Sequence, residues 1–260
     1  MINESKHQFS INQEKNAYLC KIAFFKELFG EPHPYADDVK LSDYNNLDNE
    51  DLKLFYQNHF RPSNCKMFIS GRVDEKFLEL VNDTFGKNWE DRTALFESDV
   101  ITIKPSKSVF IEKPDSLQSA IRIGGLTIGR EHPDFVKLQI AVTIFGGYFG
   151  SRLMKNIRED KGYTYGIGAN VVCLKNECYL TINTEVKAEV TLNALAEVNK
   201  ELNLMQKELV TEEELSLVKN YLFGELYRSV DGPFNLLEKW KGMVLSNHSI
   251  ERFEIGRAHV

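Results

Sequence analysis

Apolar residues recur at every third or fourth position through most of the chain, and this period predicts amphipathic helices. In residues 12–30 the apolar stripe includes Phe25 and Phe29, and Gly30 is the expected end of the helix. Asp48 and Asp74 are the expected N-caps of two more helices. The same period predicts further helices at residues 48–60, 74–86, 132–145, 151–162, 195–209, 211–229 and 234–244.

Short apolar runs bounded by Gly, Pro or Asn predict strands between these helices. The predicted strands are residues 65–70, 109–112, 118–128, 165–174 and 178–185. Lys175 and Asn176 form the predicted hairpin turn between the last two strands. Because helices and strands are mixed along the whole chain, we predict an α+β fold of sheets covered by helices.

The stretch 146–167, which reads GGYFGSRLMKNIREDKGYTYGI, joins a helix directly to a strand. Arg158 falls in the last turn of the predicted helix, and Gly162 ends it. Tyr165 stands at the start of the strand, where period-2 alternation predicts one face shared with Ile167. A tight turn therefore lets the Arg158 guanidinium and the Tyr165 phenol converge, and their donors suit a carbonyl oxygen or an oxyanion.

Composition describes a soluble globular protein, with 42% hydrophobic and 27% charged residues. The net charge of −6 and the scattered basic residues give no footprint for nucleic acid, so we expect no such partner. No apolar run approaches the roughly 20 residues of a membrane helix, and we expect no membrane span. The polar opening MINESKHQFS shows no secretory signal.

The four cysteines have no CxxC spacing, which argues against a zinc knuckle or a thioredoxin motif. Cys173 and Cys178 flank the predicted hairpin turn, which can place them opposite one another. A disulfide there requires an oxidising compartment, and we expect two buried free thiols instead.

The 22-residue stretch resembles the signature of the second half of pitrilysin- or insulinase-type zinc peptidases, in which SRL leads into a helix ending RE, then KGxxY. The segments LFGEPHPY, at residues 28–35, and RPSNCKMFISG, at residues 61–71, are similar to parts of that family's first half. The resemblance implies the two-layer sheet-and-helix halves of the pitrilysin and mitochondrial processing peptidase-like metallohydrolase fold.

The resemblance also implies roles for Arg158 and Tyr165. In the family, an arginine and a tyrosine with this spacing hold the substrate peptide's carbonyl beside the zinc site of the other half. A local structural interpretation remains open, in which Arg158 caps its helix against the macrodipole and Tyr165 is a strand aromatic at the sheet rim. The acidic run Glu212–Glu214 is interpreted as a solvated helix start, with Thr211 and Glu214 forming a capping box.

Aligned with the family, residues 1–90 are the later part of the first half, 91–108 a linker and 109–253 most of the second half. The fold is accordingly expected to be truncated at both ends. Met1 is interpreted as an internal methionine. Residues 254–260, EIGRAHV, break the pattern and are interpreted as a non-native tail.

Zinc peptidases of this type need HxxEH on a helix and a later glutamate, and no pair of histidines here has that spacing. The histidines are His7, His33, His59, His132, His248 and His259. We therefore expect no cofactor in this chain, inactivity on its own, and zinc in the missing N-terminal half or in a partner subunit.

Three functions remain open at this point. The first is a fragment of a zinc-dependent endopeptidase that binds peptide substrate and holds the oxyanion. The second is a non-catalytic peptide-binding subunit that pairs with a zinc-bearing partner. The third is an α+β binding module with a coincidental motif.

Overall fold

The computed structural model describes residues 2–31, 33–87, 89, 108–175 and 177–246. Helices and the strands of a small sheet are mixed along the chain, as the hydrophobic pattern predicts. The helices are α1 (Ile2–Gln13), α2 (Asn16–Phe29), α3 (Leu41–Asn46), α4 (Asn49–His59), α5 (Glu75–Val81), α6 (Phe135–Val142), α7 (Thr191–Lys207), α8 (Glu212–Arg228) and α9 (Gly232–Leu245). The strands are β1 (Gln118–Thr127), β2 (Thr164–Cys173) and β3 (Cys178–Lys187), and a wider π-helical segment, Met154–Asp160, is called the site helix.

The chain divides into two compact units. One contains Met1–Tyr44 and Val100–Asn220, and the other contains Asn45–Asp99 and Tyr221–Val260. This division follows spatial contacts, whereas the predicted halves at 1–90 and 109–253 follow the sequence, so the halves stay a prediction. Of the predicted linker only Ser108 lies inside the described residues, and the predicted tail at 254–260 lies outside them.

The sheet belongs to the first unit and has the order β1-β3-β2, with both pairs antiparallel. Strand β3 is central and mostly buried, because helices cover both of its faces. On one face, α6, the site helix and α7 pack against β2 and β3. The buried members of this cluster are Val142, Phe145, Leu153, Met154, Ile157, Ile167, Ala169, Ile182 and Val198.

Helix α2 covers the other face of the sheet at its hairpin end. Leu28 and Phe29 are buried there against Tyr179 of β3. The rings of Phe29 and Tyr179 meet edge to face, with centroids 6.1 Å apart. Gly30 ends α2 with a φ of 84°, as its predicted C-cap position requires.

Three predicted elements differ in the structure. The predicted helix at 12–30 starts at Asn16, and the residues before it form a separate helix, α1. The predicted strands at residues 65–70 and 109–112 are not strands in the structure. A strand needs a hydrogen-bonded neighbour, and within the described ranges no other strand pairs with either segment.

The expectation of free thiols at the hairpin is wrong, because Cys173 and Cys178 form a disulfide. Antiparallel pairing places the two residues directly opposite one another, with Cα atoms 4.1 Å apart. The bridge closes the turn end of β2 and β3, where the Leu174 N–H also donates to the Glu177 carbonyl oxygen at 2.8 Å.

Candidate functional site

The glycine-rich start of the site brings two backbones into close contact. A Cβ atom placed on Gly146 would lie 2.7 Å from the amide nitrogen of Ala169 in β2 and 2.6 Å from its Cβ. Only glycine permits this approach without a shift of one chain. The turn that precedes the site helix is thereby held against the sheet.

The site helix lies in the predicted place, and its apolar face is the predicted one. Leu153, just before it, and Ile157 within it have no exposed surface. The Lys161 N–H donates to the Asn156 carbonyl oxygen at 3.0 Å, which is the wide i+5 spacing of a π-helix. Such segments occur frequently at functional sites.

Gly162 and one backbone hydrogen bond fix the turn from the site helix into β2. Gly162 has a φ of 64°, the left-handed conformation that glycine adopts at little cost. The Tyr163 N–H then donates to the Ile157 carbonyl oxygen at 3.0 Å. This hydrogen bond therefore ties the helix end, near Arg158, to the strand start, near Tyr165, and these two residues are seven positions apart in sequence.

Arg158 is half-buried in the last turn of the site helix. Its guanidinium carbon lies 4.5 Å from the centroid of the Phe149 ring, a cation–π contact that holds the planar group in place. Within the described ranges no carboxylate forms an ion pair with Arg158. Its N–H donors are therefore available to an acceptor from outside.

Tyr165 is 95% exposed, because the pairing of β2 with β3 shifts register between Thr164 and Ile167. The predicted face shared by Tyr165 and Ile167 is therefore wrong, since Ile167 is buried. A β-bulge of this kind redirects a side chain from the regular alternation. In the part of the chain that the structure describes, the Tyr165 hydroxyl has no hydrogen-bond partner.

Hydroxyl groups under the bulge hold its backbone. The Thr164 hydroxyl donates to the Glu185 carbonyl oxygen at 2.7 Å, and the Thr184 hydroxyl donates to the Gly166 carbonyl oxygen at 2.9 Å. The residues on both sides of Tyr165 are thus anchored to β3. The phenol points outward from a fixed backbone.

An ion pair that the sequence did not indicate attaches the start of the site helix to α8. Nε and Nη2 of Arg152 donate to Oε1 and Oε2 of Glu214 at 2.8 and 2.7 Å. These hydrogen bonds hold the pKa of the Glu214 carboxyl below its ordinary value and raise the pKa of Arg152. The interpretation of Glu212–Glu214 as a solvated run is therefore wrong for Glu214, although its N–H does donate to the predicted cap, the Thr211 hydroxyl oxygen, at 3.2 Å.

A second polar contact attaches the middle of the site helix to α7. The buried side-chain amide of Asn156 donates to Glu197 Oε2 at 2.9 Å and to Glu201 Oε1 at 2.7 Å. The hydrogen bond from Asn156 is the main reason that the pKa of Glu197 is lowered. We call Asn156, Glu197 and Glu201 the polar clamp. Its only sequence signal was a pair of glutamates four apart in a predicted helix.

The described residues do not fit a zinc site. Among them, no three His, Cys, Asp or Glu side chains are grouped closely enough to hold a metal ion. Arg158 offers N–H donors and Tyr165 offers an O–H donor, so hydrogen bonding is the chemistry that this pair supplies. None of the described helices has both the length and the apolar character that a membrane span requires.

The second compact unit contains an apolar pocket of about 600 Å³. Ile69, Pro233, Leu236 and Trp240 are among its apolar lining residues, and Ser70 and Lys239 also line it. The Ser70 hydroxyl donates to the Pro233 carbonyl oxygen at 2.7 Å, so the pocket mainly offers apolar contact.

The sequence matches the family model described as "Peptidase M16 inactive domain" over residues 46–222. The chain is 23% identical over 209 residues to "Probable inactive metalloprotease YmfF" of Bacillus subtilis, covering 79% of this chain and 48% of that protein. It is 23% identical over 187 residues to "Uncharacterized zinc protease YmxG" of the same organism, covering 70% and 44%. The chain thus spans about half the length of these relatives.

The fold is similar to the crystal structure of a peptidase M16 inactive domain from Pseudomonas fluorescens. The TM-score is 0.83 at 23% sequence identity, and the match covers 97% of this chain and 61% of the other. The predicted α+β metallohydrolase fold is therefore confirmed.

Proposed function

Because the chain belongs to the peptidase M16 family, through the part described as its inactive domain, we propose that it supplies the substrate-holding half of a zinc-dependent endopeptidase of the insulinase or pitrilysin type. Its proposed substrate is an extended peptide. Arg158 and Tyr165 are the proposed catalytic residues, which contact the carbonyl of the peptide bond to be cleaved.

The observation that carries this proposal is the presentation of two unpaired donors at the two ends of one fixed turn. The Arg158 guanidinium is partly exposed over Phe149, and the Tyr165 phenol is almost fully exposed on the bulge. A guanidinium donates up to five hydrogen bonds and stays charged at any working pH. Such donors suit a group whose negative charge grows during the reaction.

The two residues act by hydrogen bonding. Arg158 donates to the carbonyl oxygen of the bound peptide and orients it, and the Tyr165 hydroxyl donates to the same oxygen as it becomes the tetrahedral oxyanion. Preorganised donors of this kind are worth about 3 to 4 kcal/mol each in the transition state. The zinc, which activates water in such enzymes, is assigned to a segment or subunit outside this chain, since the described residues do not fit it.

Peptide binding and turnover test the proposal together. A fluorescein-labelled library of unstructured peptides is titrated with the wild-type chain and with Arg158→Ala, and we expect weaker binding by the variant. Lys155→Ala is the matched control, because Lys155 is an exposed cation on the same site helix. In the zinc-bearing complete enzyme, Arg158→Ala is expected to lower kcat by on the order of 100-fold or more. Unchanged turnover and binding would overturn the assignment.

Tyr165→Phe removes only the proposed oxyanion donor. We expect lower kcat with little change in KM, because the hydroxyl acts mainly in the transition state. Tyr163→Phe is the matched control, since Tyr163 precedes the bulge and is half-buried. Equal kcat values for Tyr165→Phe and Tyr163→Phe would contradict the role of the phenol.

A second function has support from one comparison, the relative named "Probable inactive metalloprotease". In that case the chain is part of a non-catalytic subunit that binds peptide for a zinc-bearing partner. Cleavage by the intact purified protein, abolished by a chelator and restored by zinc, supports the enzyme. Peptide binding without such cleavage supports the subunit.

A further inference from the structure

The polar clamp is a costly way to join two helices. Asn156 and Glu201 are 7% and 8% exposed, so an amide and a carboxylate have both been removed from water. Within the described ranges, the Asn156 amide provides the one hydrogen bond that Glu201 accepts. An apolar pair of similar size would join the same helices without this desolvation cost.

The clamp provides what an apolar contact lacks, which is a defined direction. Glu197 and Glu201 are four residues apart, so their carboxylates lie on one face of α7. The two N–H groups of a single amide point in fixed directions, and each donates to one of these carboxylates. The contacts of Asn156 therefore fix the rotation of the site helix about its axis and its position along that axis, both relative to α7.

The helix orientation that is fixed at Asn156 also determines the orientation of Arg158, which is two residues farther along the same short helix. The Asn156 carbonyl oxygen also accepts the N–H of Lys161, and the Lys161 side chain lies 3.9 Å from Glu197. The clamp thus holds the helix on both sides of Arg158 in sequence. A rotation of the helix would move the guanidinium off the Phe149 ring.

We propose that the polar clamp positions Arg158, so that its guanidinium is held over Phe149 in the orientation that receives a peptide carbonyl. The effect of this positioning on peptide binding rests on the proposed function. The placement of Arg158 over Phe149 by the clamp does not. Asn156, Glu197 and Glu201 are positioning residues, since they act through the helix that carries Arg158.

The test uses a readout of the arginine itself. Because the Phe149 ring lies against the guanidinium, its ring current shifts the NMR signal of the Arg158 Nε–H proton, which Arg158→Lys identifies by its loss. The double variant Asn156→Leu/Glu201→Leu replaces the polar contact by an apolar one. We expect a folded protein whose Arg158 signal moves to the position of a freely rotating arginine, with labelled-peptide Kd raised on the order of tenfold.

Two further variants separate positioning from stability. Glu201→Gln keeps an oxygen that accepts from Asn156, so it should preserve both the Arg158 signal and the Kd. Val198→Ala truncates a fully buried side chain of α7 and leaves the clamp residues unchanged, so it should lower the melting temperature and leave the Arg158 signal in place. If the double variant fails to fold, Glu201→Leu alone removes the more buried of the two clamp hydrogen bonds, and the Arg158 signal should move in the same direction by a smaller amount.

An unmoved Arg158 signal in a folded variant that lacks the clamp would overturn the inference. So would an equal movement in Glu201→Gln or Val198→Ala. If wild-type protein binds none of the labelled peptides, the proposed function fails, while the NMR comparison still decides whether the clamp positions Arg158.

Discussion

Arg152 and Glu214, 62 residues apart in sequence, form a bidentate ion pair with N to O distances of 2.8 and 2.7 Å. The pair is largely buried, with side chains 17% and 22% exposed. It joins the residue before Leu153 to the first turn of α8, so the site depends on a helix far along the chain. Bidentate geometry also fixes the angle between the two parts.

The ion pair predicts a pH-dependent contribution to stability. The pKa of Glu214 is lowered from its ordinary value of 4.5, so the pair stabilises the fold at neutral pH and this stabilisation is lost as the pH falls from about 4.5 through the lowered pKa. Glu214→Gln should therefore be less stable than wild type by about 1 to 3 kcal/mol at pH 7. The difference should shrink in acid. Urea unfolding at several pH values measures it.

Glu213→Gln is the control for that measurement, because Glu213 is exposed in the same helical turn. It should differ little from wild type at either pH. A stability loss in Glu214→Gln that does not depend on pH would contradict the account of the ion pair.

A second prediction concerns the Thr184 hydroxyl, whose hydrogen bond stabilises the β-bulge. Thr184→Val keeps the shape of the side chain but removes the donor to the Gly166 carbonyl oxygen, and should cost about 1 kcal/mol of unfolding free energy. Thr181→Val is the control on the same strand, because the buried Thr181 hydroxyl has no hydrogen-bond partner in the described structure. It should be neutral or stabilising. Equal losses in the two variants would show that the bulge hydrogen bond contributes nothing.

Gly146→Ala predicts a steric effect. The new methyl group would meet the backbone and Cβ of Ala169 at 2.7 and 2.6 Å, so one chain must move at a cost of about 1 to 3 kcal/mol. Gly125→Ala should be tolerated, since no atom lies within 4 Å of its added Cβ. Thermal unfolding compares the two variants. A Gly146→Ala protein as stable as Gly125→Ala would show that the contact relaxes without cost.

The disulfide predicts a redox dependence of stability. The Cys173–Cys178 bridge closes a short loop, so its contribution should be roughly 2 kcal/mol in the chain-entropy account. Reduction with dithiothreitol should lower the urea midpoint of wild type and leave that of Cys173→Ala/Cys178→Ala unchanged. Equal shifts in both proteins would mean that the reductant acts elsewhere.

The local parts of this site could be predicted from the sequence. Leu153 and Ile157 follow the helical period, and Gly162 marks a helix end, because these signals depend only on nearby residues. The predicted face of Tyr165 is wrong because the bulge depends on how β2 pairs with another strand, β3. No sequence period reports a register shift of that kind.

The long-range parts were not predictable from one sequence. The Arg152–Glu214 pair and the polar clamp join residues more than 40 positions apart, and only the packing of α7 and α8 brings them together. Residues 65–70 have the composition of a strand, yet composition does not provide a neighbouring strand for hydrogen bonding. The resemblance in GGYFGSRLMKNIREDKGYTYGI carried more information about the family than either kind of pattern.

Because the site helix contains a widened π-helical turn, the number of residues between two positions does not by itself give the angle between their side chains. An α-helix rotates by about 100° per residue, and a π-helical segment rotates less, so one residue added or lost before Gly162 would send the arginine to another side. A homologue with the same letters but a different residue count between Ser151 and Gly162 would therefore present its arginine differently. When related sequences are searched for this function, the length of that interval should be scored along with the identity of its residues.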